Sequence, residues 1–318
     1  MTQTTPTPAT PPAAAQEDLL PGDILLMLSS GQLSTLIAWC GDSIYSHAAI
    51  VADQGDLIEA AASGVRRYPL AQRLVDTTEI VLIDAYRPLA HDGNALDDAD
   101  RASVLAKAES MLGIPYPIDA LAFLGVVVAV RGKWPQNWLA RIVVREALDH
   151  LIHDDPSHMI CSEVVYRALA QCDVQPTGRL APRIVMTGPT HLPFPKIDAK
   201  ALLEEVWGLL HPQRREALAG IRAHLETDPQ AATPPLQGAP ADAALRERAN
   251  TVRDRLGLSI LPITASVDDA GALLEEASPE TPVRAIPNPN PKLVMPLDLA
   301  SSPSHTQIGR LLQADTIK

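Results

Sequence analysis

The sequence predicts an α+β fold in which short strands come first and helices dominate afterwards. Before Asp97, apolar segments begin near Ile24, His47, Leu57 and Ile80, and turn residues such as Pro21-Gly22 and Asp53-Gln54-Gly55-Asp56 separate them. Short apolar runs between such turns are typical of strands in a mainly antiparallel sheet. After Asp97, apolar residues recur at helical spacing. The chain therefore combines a small sheet with helices packed on it.

Length and proline distribution divide the chain into three parts. It has 318 residues, 46% of them hydrophobic, which suits one domain of roughly 200 residues plus additional segments. The 29 prolines concentrate near both ends and in the last third, as in loosely ordered sequence. We predict a disordered lead-in at 1–17, a folded domain at 18–227, and a linker, helix and Pro-rich C-terminal extension at 228–318.

Charge and cysteine content exclude several classes of protein. The formal net charge is −12, so the surface would repel nucleic-acid phosphates, and we predict no nucleic-acid partner. The three cysteines are odd in number and lack paired metal-ligand spacing, which indicates neither a disulfide framework nor a zinc site. Residues 1–20 lack the basic start and apolar core of a signal peptide, so we expect cytoplasmic synthesis without Sec export.

The strand-rich half is predicted from apolar runs bounded by Gly, Pro or Asp. Its predicted elements are a strand at 23–28, a helix through Leu36, Ile37 and Trp39 that ends at Gly41, and strands at 48–52, 57–60, 65–68 and 79–86.

The helical half is predicted from capping residues and apolar spacing. Its predicted helices are 97–112, one beginning at Pro117, 137–150, one beginning at Cys161, 199–210, 212–225 and 242–256. The apolar run Leu121 to Val130 is too short to span a bilayer, which needs about 20 residues. It is predicted to be either a core helix or a contact with a membrane surface.

Cys161 is the candidate nucleophile because it lies at a predicted helix start. Val164, Val165 and Leu169 form one apolar helix face behind it, and Cys172 continues that face. Unpaired amide groups and the positive end of the helix dipole favour a thiolate there. The alternative interpretation is a small hydrophobic residue in the core, which is the prediction for Cys40 and Cys172.

His47 and Glu59 are the candidate partners of that thiol. His47 opens a buried apolar strand, an unusual place for an imidazole without a role, and Glu59 lies on the returning strand of the predicted hairpin. A two-residue turn at Gln54-Gly55 would pair Glu59 with Ile50 and place it on the face opposite to His47. A three- or five-residue loop, or a bulge, would place both on one face.

A second polar group precedes the Cys161 helix. His150 and His153 have the spacing of a metal pair on one helix face, and Asp154, Asp155 and His158 follow. A solvated helix end is the simpler interpretation, and it is the one we adopt.

Four motifs resemble the circularly permuted NlpC-type branch of the papain-like cysteine hydrolases, which is related to the lecithin:retinol acyltransferase group. The resemblance covers about Leu20 to Pro195, with the histidine before the cysteine. The motifs are Leu20-Pro21-Gly22-Asp23-Ile24-Leu25, Ser46-His47-Ala48-Ala49-Ile50, Ile58-Glu59-Ala60 and Cys161-Ser162-Glu163-Val164-Val165.

This resemblance implies a papain-like fold and a catalytic triad. Cys161 would be the nucleophile, His47 the base and Glu59 the residue that orients the imidazolium, a place where other branches have Asn, Gln or a second His. The implied activity is hydrolysis or acyl transfer at an amide or ester bond through an acyl-enzyme. Thiolate, imidazole and oxyanion donors suffice for it, so no metal or organic cofactor is expected.

The resemblance leaves the substrate open between a peptidoglycan peptide and an acyl lipid. Leu121 to Val130 and the absence of an export signal favour lipid. A peptidoglycan substrate would require a non-Sec route, as for an injected bacterial effector, with the C-terminal extension binding a delivery or partner protein. The alternative function is a non-catalytic binding module on the same fold.

Overall fold

The computed structural model describes residues 11–61, 63–115, 159–185, 193–198, 239–255 and 289–314, with parts of the intervening helices at 124–125, 128, 143–144, 147–148, 201–202 and 205–206. Its strands are β1 (Ile24–Ser29), β2 (His47–Val51), β3 (Asp56–Ala61), β4 (Gly64–Pro69), β5 (Ile80–Pro88) and β6 (His305–Gln313). They form one sheet in the order β4-β3-β2-β1-β5-β6, and every pair of neighbouring strands is antiparallel. The predicted α+β class is confirmed at this level.

The described helices are α1 (Gln32–Cys40), α2 (Leu70–Val75), α3 (Asp98–Glu109), α4 (Cys161–Ala170), α5 (Ala239–Arg255) and α6 (Pro296–Ala300), with 3-10 turns at Gln16–Asp18 and Pro291–Leu293. Helices at Leu70–Val75 and Pro296–Ala300 were not predicted from the sequence. Asp97 caps α3 by accepting a hydrogen bond from the Asp100 amide at 2.8 Å. The start of α1 is capped from far along the chain, because the Glu205 carboxylate accepts from the Gln32 and Leu33 amides at 2.7 and 2.8 Å.

Both faces of the sheet are covered at β1, which explains why this strand is apolar without alternating. In β1, Ile24 and Leu26 belong to the larger core cluster, which also contains Val164 and Val165 of α4. Leu25 and Met27 belong to a second cluster. Since side chains of a strand alternate between faces, a strand covered on both sides is a continuous apolar run. Helix α4 therefore packs on one face of the sheet. The register assigns His47 and Glu59 to the other face, with Ala49 and Leu57 of the second cluster.

The two ends of the chain meet at the β6 edge of the sheet. The Arg310 amide of β6 donates to the Pro12 carbonyl at 2.7 Å, and the Ala14 amide donates to the Arg310 carbonyl at 2.9 Å. Farther along the same return, Val294, Met295 and Leu299 are buried in the larger core. The structure thus differs from the predicted limits, since residues 12–14 and 289–314 belong to the folded domain rather than to a lead-in and an extension.

Other predicted segments are described only in part. Leu124, Gly125 and Val128 of the Leu121 to Val130 run are buried, and the other residues of the run lie outside the described part of the chain. His150, His153, Asp154, Asp155, His158 and the predicted 212–225 helix also lie outside them. Within the described part of the chain, no helix has both the length and the apolar character needed to cross a membrane.

We expect Gly64→Ala to destabilise the domain by about 3 kcal/mol or more. Gly64 begins β4 with φ of 102°, and a Cβ there would lie 2.7 Å from the Ile114 backbone oxygen, which accepts the Val65 amide bond. The matched control is Gly113→Ala, because Gly113 also has a positive φ, of 80°, but a Cβ there meets no atom within 4 Å. Urea unfolding should show a loss of about 1–2 kcal/mol for the control. Equal losses in the two variants would contradict the backbone contact.

Candidate active site

The β2–β3 hairpin places His47 and Glu59 on one face of the sheet. Its loop has three residues, Asp53 to Gly55, and the Ala52 amide closes it by donating to the Asp56 carbonyl at 2.9 Å. Gln54 and Gly55 take the positive φ values, 58° and 79°, that let the chain reverse. In the resulting register Ala49 pairs with Glu59. Since alternate residues share a face, Glu59 lies diagonally across from His47.

His47 and Glu59 are in direct contact. The imidazole Nε2 lies 3.1 Å from the Glu59 Oε2, and the Glu59 side chain is fully buried while 17% of the His47 side chain is exposed. A buried carboxylate at this distance fixes the orientation of the imidazole ring and stabilises its charged form.

Cys161 is the first residue of α4, as the sequence predicted, and it interacts with the same imidazole. Its charge and a side-chain hydrogen bond raise the pKa of His47, so the sulfur lies near that imidazole. The structure therefore brings together the three residues named from the sequence, in the order Cys161, His47, Glu59.

The charge state of His47 follows from these neighbours. Burial alone would lower its pKa, but the charge and hydrogen bond of Cys161, together with those of Glu59, outweigh burial and raise the pKa of His47 well above its usual range. The imidazole is therefore protonated at a pH where an isolated histidine would be neutral.

Two arginines hold Glu59 from the other side. Arg66 donates to the Glu59 Oε1 from Nε at 3.2 Å and from Nη2 at 2.8 Å, and Arg73 of α2 donates to the same oxygen. Both guanidinium groups also lie over the Tyr68 ring, at 4.7 and 4.3 Å from its centroid. Neither arginine was predicted from the sequence as a site residue. Arg66 could have been found from the β3–β4 register, which pairs it with Glu59.

These donors determine the ionisation of Glu59. Burial raises its pKa, but the hydrogen bond and charge of His47, followed by Arg73 and Arg66, overcome burial and lower the pKa to about 2. Glu59 is thus a carboxylate at any pH where the protein is expected to work.

We expect acid to weaken the folded state through Glu59. Its pKa falls from 4.5 to about 2 on folding, so its contribution to stability is complete above about pH 4.5 and is lost as the pH falls through about 2. Urea unfolding at pH 5, 4 and 3 should show a falling free energy of unfolding, by at most about 1.4 kcal/mol per pH unit for this one proton. Glu59→Gln should reduce the slope of the unfolding free energy against pH by up to the contribution of one proton. An unchanged slope would contradict the assignment.

A second buried network lies beside His47. Asp84 of β5 accepts from the Tyr45 hydroxyl at 2.6 Å and from Arg310 of β6 at 2.7 and 3.0 Å, while Tyr45 and Tyr86 share a hydrogen bond of 2.9 Å. Burial, together with the nearby Asp84 carboxylate, raises the pKa of both tyrosines. The network links the segment just before His47 to the last strand of the sheet.

The remaining cysteines lie in the core, as predicted. Cys40 and Cys172 are both buried, and the Cys172 thiol donates to the Leu169 carbonyl at 3.1 Å. Burial raises the pKa of Cys172, so this thiol stays protonated and inert near neutral pH. Cys172 is therefore a suitable control for experiments on Cys161.

Within the described ranges, no group of three or more His, Cys, Asp or Glu side chains is arranged to hold a metal ion.

Comparison with known proteins identifies no family. No family model matches the chain, and no curated protein does. Among solved structures, it is similar to the metalloprotein YiiX from Escherichia coli O157:H7, of the family DUF1105, with 19% sequence identity and a TM-score of 0.32. The match covers 48% of this chain and spans 65% of that one.

Proposed function

We propose that this domain is a cysteine-nucleophile hydrolase or acyltransferase that acts on an amide or ester bond through an acyl-enzyme. One observation carries the proposal. Cys161 begins a helix and interacts with His47, and Nε2 of that imidazole lies 3.1 Å from the buried Glu59 carboxylate. Thiol acyl transfer requires a nucleophile, a base that interacts with it and a group that orients the base.

In the first half of the reaction, the Cys161 sulfur attacks the carbonyl carbon of the substrate. The carbonyl becomes an oxyanion, and its collapse forms a thioester on Cys161 as the bond to the leaving amine or alcohol breaks. His47 gives that leaving group the proton it took from the thiol. Glu59 stabilises the imidazolium that exists until the proton leaves.

In the second half, water or an acyl acceptor attacks the thioester. His47 removes a proton from the incoming hydroxyl or amine and returns it to the Cys161 sulfur as the carbon–sulfur bond breaks. Water as the attacking group gives hydrolysis, and another hydroxyl or amine gives acyl transfer.

The start of α4 supplies donors for the oxyanion. The first bond of the Cys161 helix runs from the Val164 amide to the Ile160 carbonyl, so the amide groups of Cys161 and its neighbours precede the intrahelical ladder. The Cys161 amide, adjacent to the attacking sulfur, is the proposed first donor of an oxyanion hole.

Resemblance to the permuted NlpC-type hydrolases supports a papain-like form of the α+β fold and two substrate classes. One class is the peptide of peptidoglycan, and the other is the acyl chain of a lipid. The apolar Leu121 to Val130 run supports the lipid class only if part of it reaches a membrane surface, and its described residues Leu124, Gly125 and Val128 are buried.

Product analysis tests the proposal. Wild type and Cys161→Ala are incubated with purified peptidoglycan and, separately, with phosphatidylcholine vesicles, and products are identified by mass spectrometry. We expect one substrate to yield new amine or alcohol products with wild type alone, and intact-protein mass spectrometry to detect an acyl adduct on Cys161. Equal products from wild type and Cys161→Ala would exclude a thiol mechanism.

The burial of Cys161 favours a second candidate, a non-catalytic binding module, because only 1% of the residue is exposed. Iodoacetamide separates the two functions. The enzyme should be alkylated at Cys161 at pH 6, where an ordinary thiol is almost fully protonated and reacts slowly. A Cys161 that reacts no faster than Cys172 over pH 6 to 9 would support the binding module.

A further inference from the structure

Arg66 and Arg73 form a wall of the site behind Glu59, and this wall carries an excess of positive charge. Arg66 and Arg73 both donate to one oxygen of Glu59, and both stack on Tyr68. Two cations thus share a single carboxylate. Arg66, Arg73 and Glu59 together carry about one positive charge. This is notable in a chain whose formal net charge is −12.

Glu59 does not accept from every guanidinium donor of Arg66 and Arg73. Arg73 is buried, with 9% of the residue exposed, and its Nε is buried without a hydrogen-bond partner among the described residues. An unpaired buried donor on a cation is costly and signals a missing partner. Arg66, with 38% of its side chain exposed, places the other guanidinium where a solute can reach it.

No acidic side chain in the described part of the chain supplies that partner. The pKa of Asp76, at the end of α2, is lowered mainly by the Thr78 hydrogen bond and to a smaller extent by the charge of Arg73. Its Oδ1 accepts from the Thr78 hydroxyl at 2.9 Å and from the Glu79 amide at 3.1 Å. The adjacent Arg67 shows the contrast, because it bonds three carboxylates, those of Asp53, Asp56 and Glu109.

We propose that Arg66 and Arg73 form a subsite for a carboxylate of the substrate, and that the acyl-enzyme reaction proposed above therefore acts on a peptide that carries a free carboxylate near the scissile bond. The inference rests on the proposed function and adds the substrate class. A planar guanidinium matches a carboxylate in two-point hydrogen bonds. A carboxylate held there lies beyond Glu59. Its position sets the distance between the substrate carboxylate and the scissile carbonyl.

A peptide fits this subsite better than a bilayer does. Arginine pairs equally well with a lipid phosphate, but a surface with net charge −12 is repelled by an anionic membrane. A single carboxylate on a small peptide meets only the local field of the two arginines.

The test uses thiol reagents that differ only in charge. N-iodoacetyl-glycine, N-iodoacetyl-4-aminobutyrate and N-iodoacetyl-6-aminohexanoate are each compared with the corresponding carboxamide for the rate of Cys161 alkylation at pH 7. We expect at least one spacer length to react about tenfold faster as the carboxylate. Arg66→Gln should abolish that preference, Arg66→Lys should keep part of it, and Arg67→Gln, the adjacent control, should keep all of it.

The outcomes separate the subsite from the catalytic proposal. Slow alkylation by all reagents overturns the reactive thiol itself. Fast alkylation with no carboxylate preference at any spacer, or a preference that survives Arg66→Gln, overturns the subsite alone. If Arg66→Gln slows carboxylates and carboxamides equally, Arg66 acts through Glu59 and His47, and the subsite is likewise overturned.

A final arm distinguishes the two sources of an anion. Protection of Cys161 from iodoacetamide is measured with N-acetyl-alanyl-glutamate and with vesicles of phosphatidylglycerol and phosphatidylcholine. We expect the peptide to protect wild type but not Arg66→Gln, and the vesicles to give no protection. Protection by the vesicles alone would overturn the peptide assignment.

Discussion

Cys161→Ala is expected to lower turnover by at least about 10⁴-fold, to the level left by binding and oxyanion stabilisation alone. The sulfur forms the covalent bond to the acyl group, and neither His47 nor Glu59 can take its place. The loss should fall on the rate of the chemical step, measured in single turnover, because alanine removes one small buried group and leaves the helix start intact.

Cys172→Ala is the matched control for that prediction. Cys172 has the same side chain and lies buried two residues beyond the end of α4. We expect its turnover to stay within about twofold of wild type and its stability to fall by about 1 kcal/mol. A Cys161→Ala enzyme that retains more than one hundredth of wild-type turnover would show that another residue is the nucleophile.

Arg310→Ala is expected to lower the free energy of unfolding by about 3–5 kcal/mol. Asp84 is fully buried, and Arg310 is its only cationic partner among the described residues, with contacts at 2.7 and 3.0 Å. Without that cation the carboxylate is left charged and uncompensated between β5 and β6. The pairing of β6 and the Tyr45 hydrogen bond next to His47 should weaken together.

Arg87→Ala is the control, because it also removes an arginine but does not leave a buried carboxylate without a cation. Arg87 also lies on β5 and bonds a fully buried carboxylate, Asp23, at 2.7 Å, but Asp23 keeps a second cation, Arg101, at 3.3 Å. We expect its urea-unfolding free energy to fall by about half as much as that of Arg310→Ala. Equal losses of unfolding free energy in the two variants would contradict the claim that Arg310 alone compensates the charge of Asp84.

The hairpin and the nucleophile helix could be predicted because their signals are local. The apolar run after His47, the turn at Asp53 to Gly55 and the helical spacing after Cys161 each depend on a few adjacent residues. The loop length remained open, since Gln54-Gly55 is also compatible with a two-residue turn. The structure has the three-residue loop, which places Glu59 on the face of His47.

The last strand could not be predicted, because its partner is distant and its pattern is weak. Asp84 and Arg310 are 226 positions apart, and β6 is an edge strand in which only Gly309 is buried. An exposed edge needs no apolar alternation, and nearby prolines suggested disorder. Arg73 was missed for a related reason, since α2 has only six residues and too few turns to show a helical period.

The contact between Cys161 and His47 is the claim on which the enzymatic account depends, and titration of the His47 ring by nuclear magnetic resonance tests it most directly. In wild type the imidazole should remain protonated well above the ordinary midpoint near pH 6.5. In Cys161→Ala the loss of the sulfur charge and hydrogen bond should move that midpoint down, with Glu59 still in place. A His47 that titrates at the same pH in both proteins would contradict the pairing and with it the proposed activity.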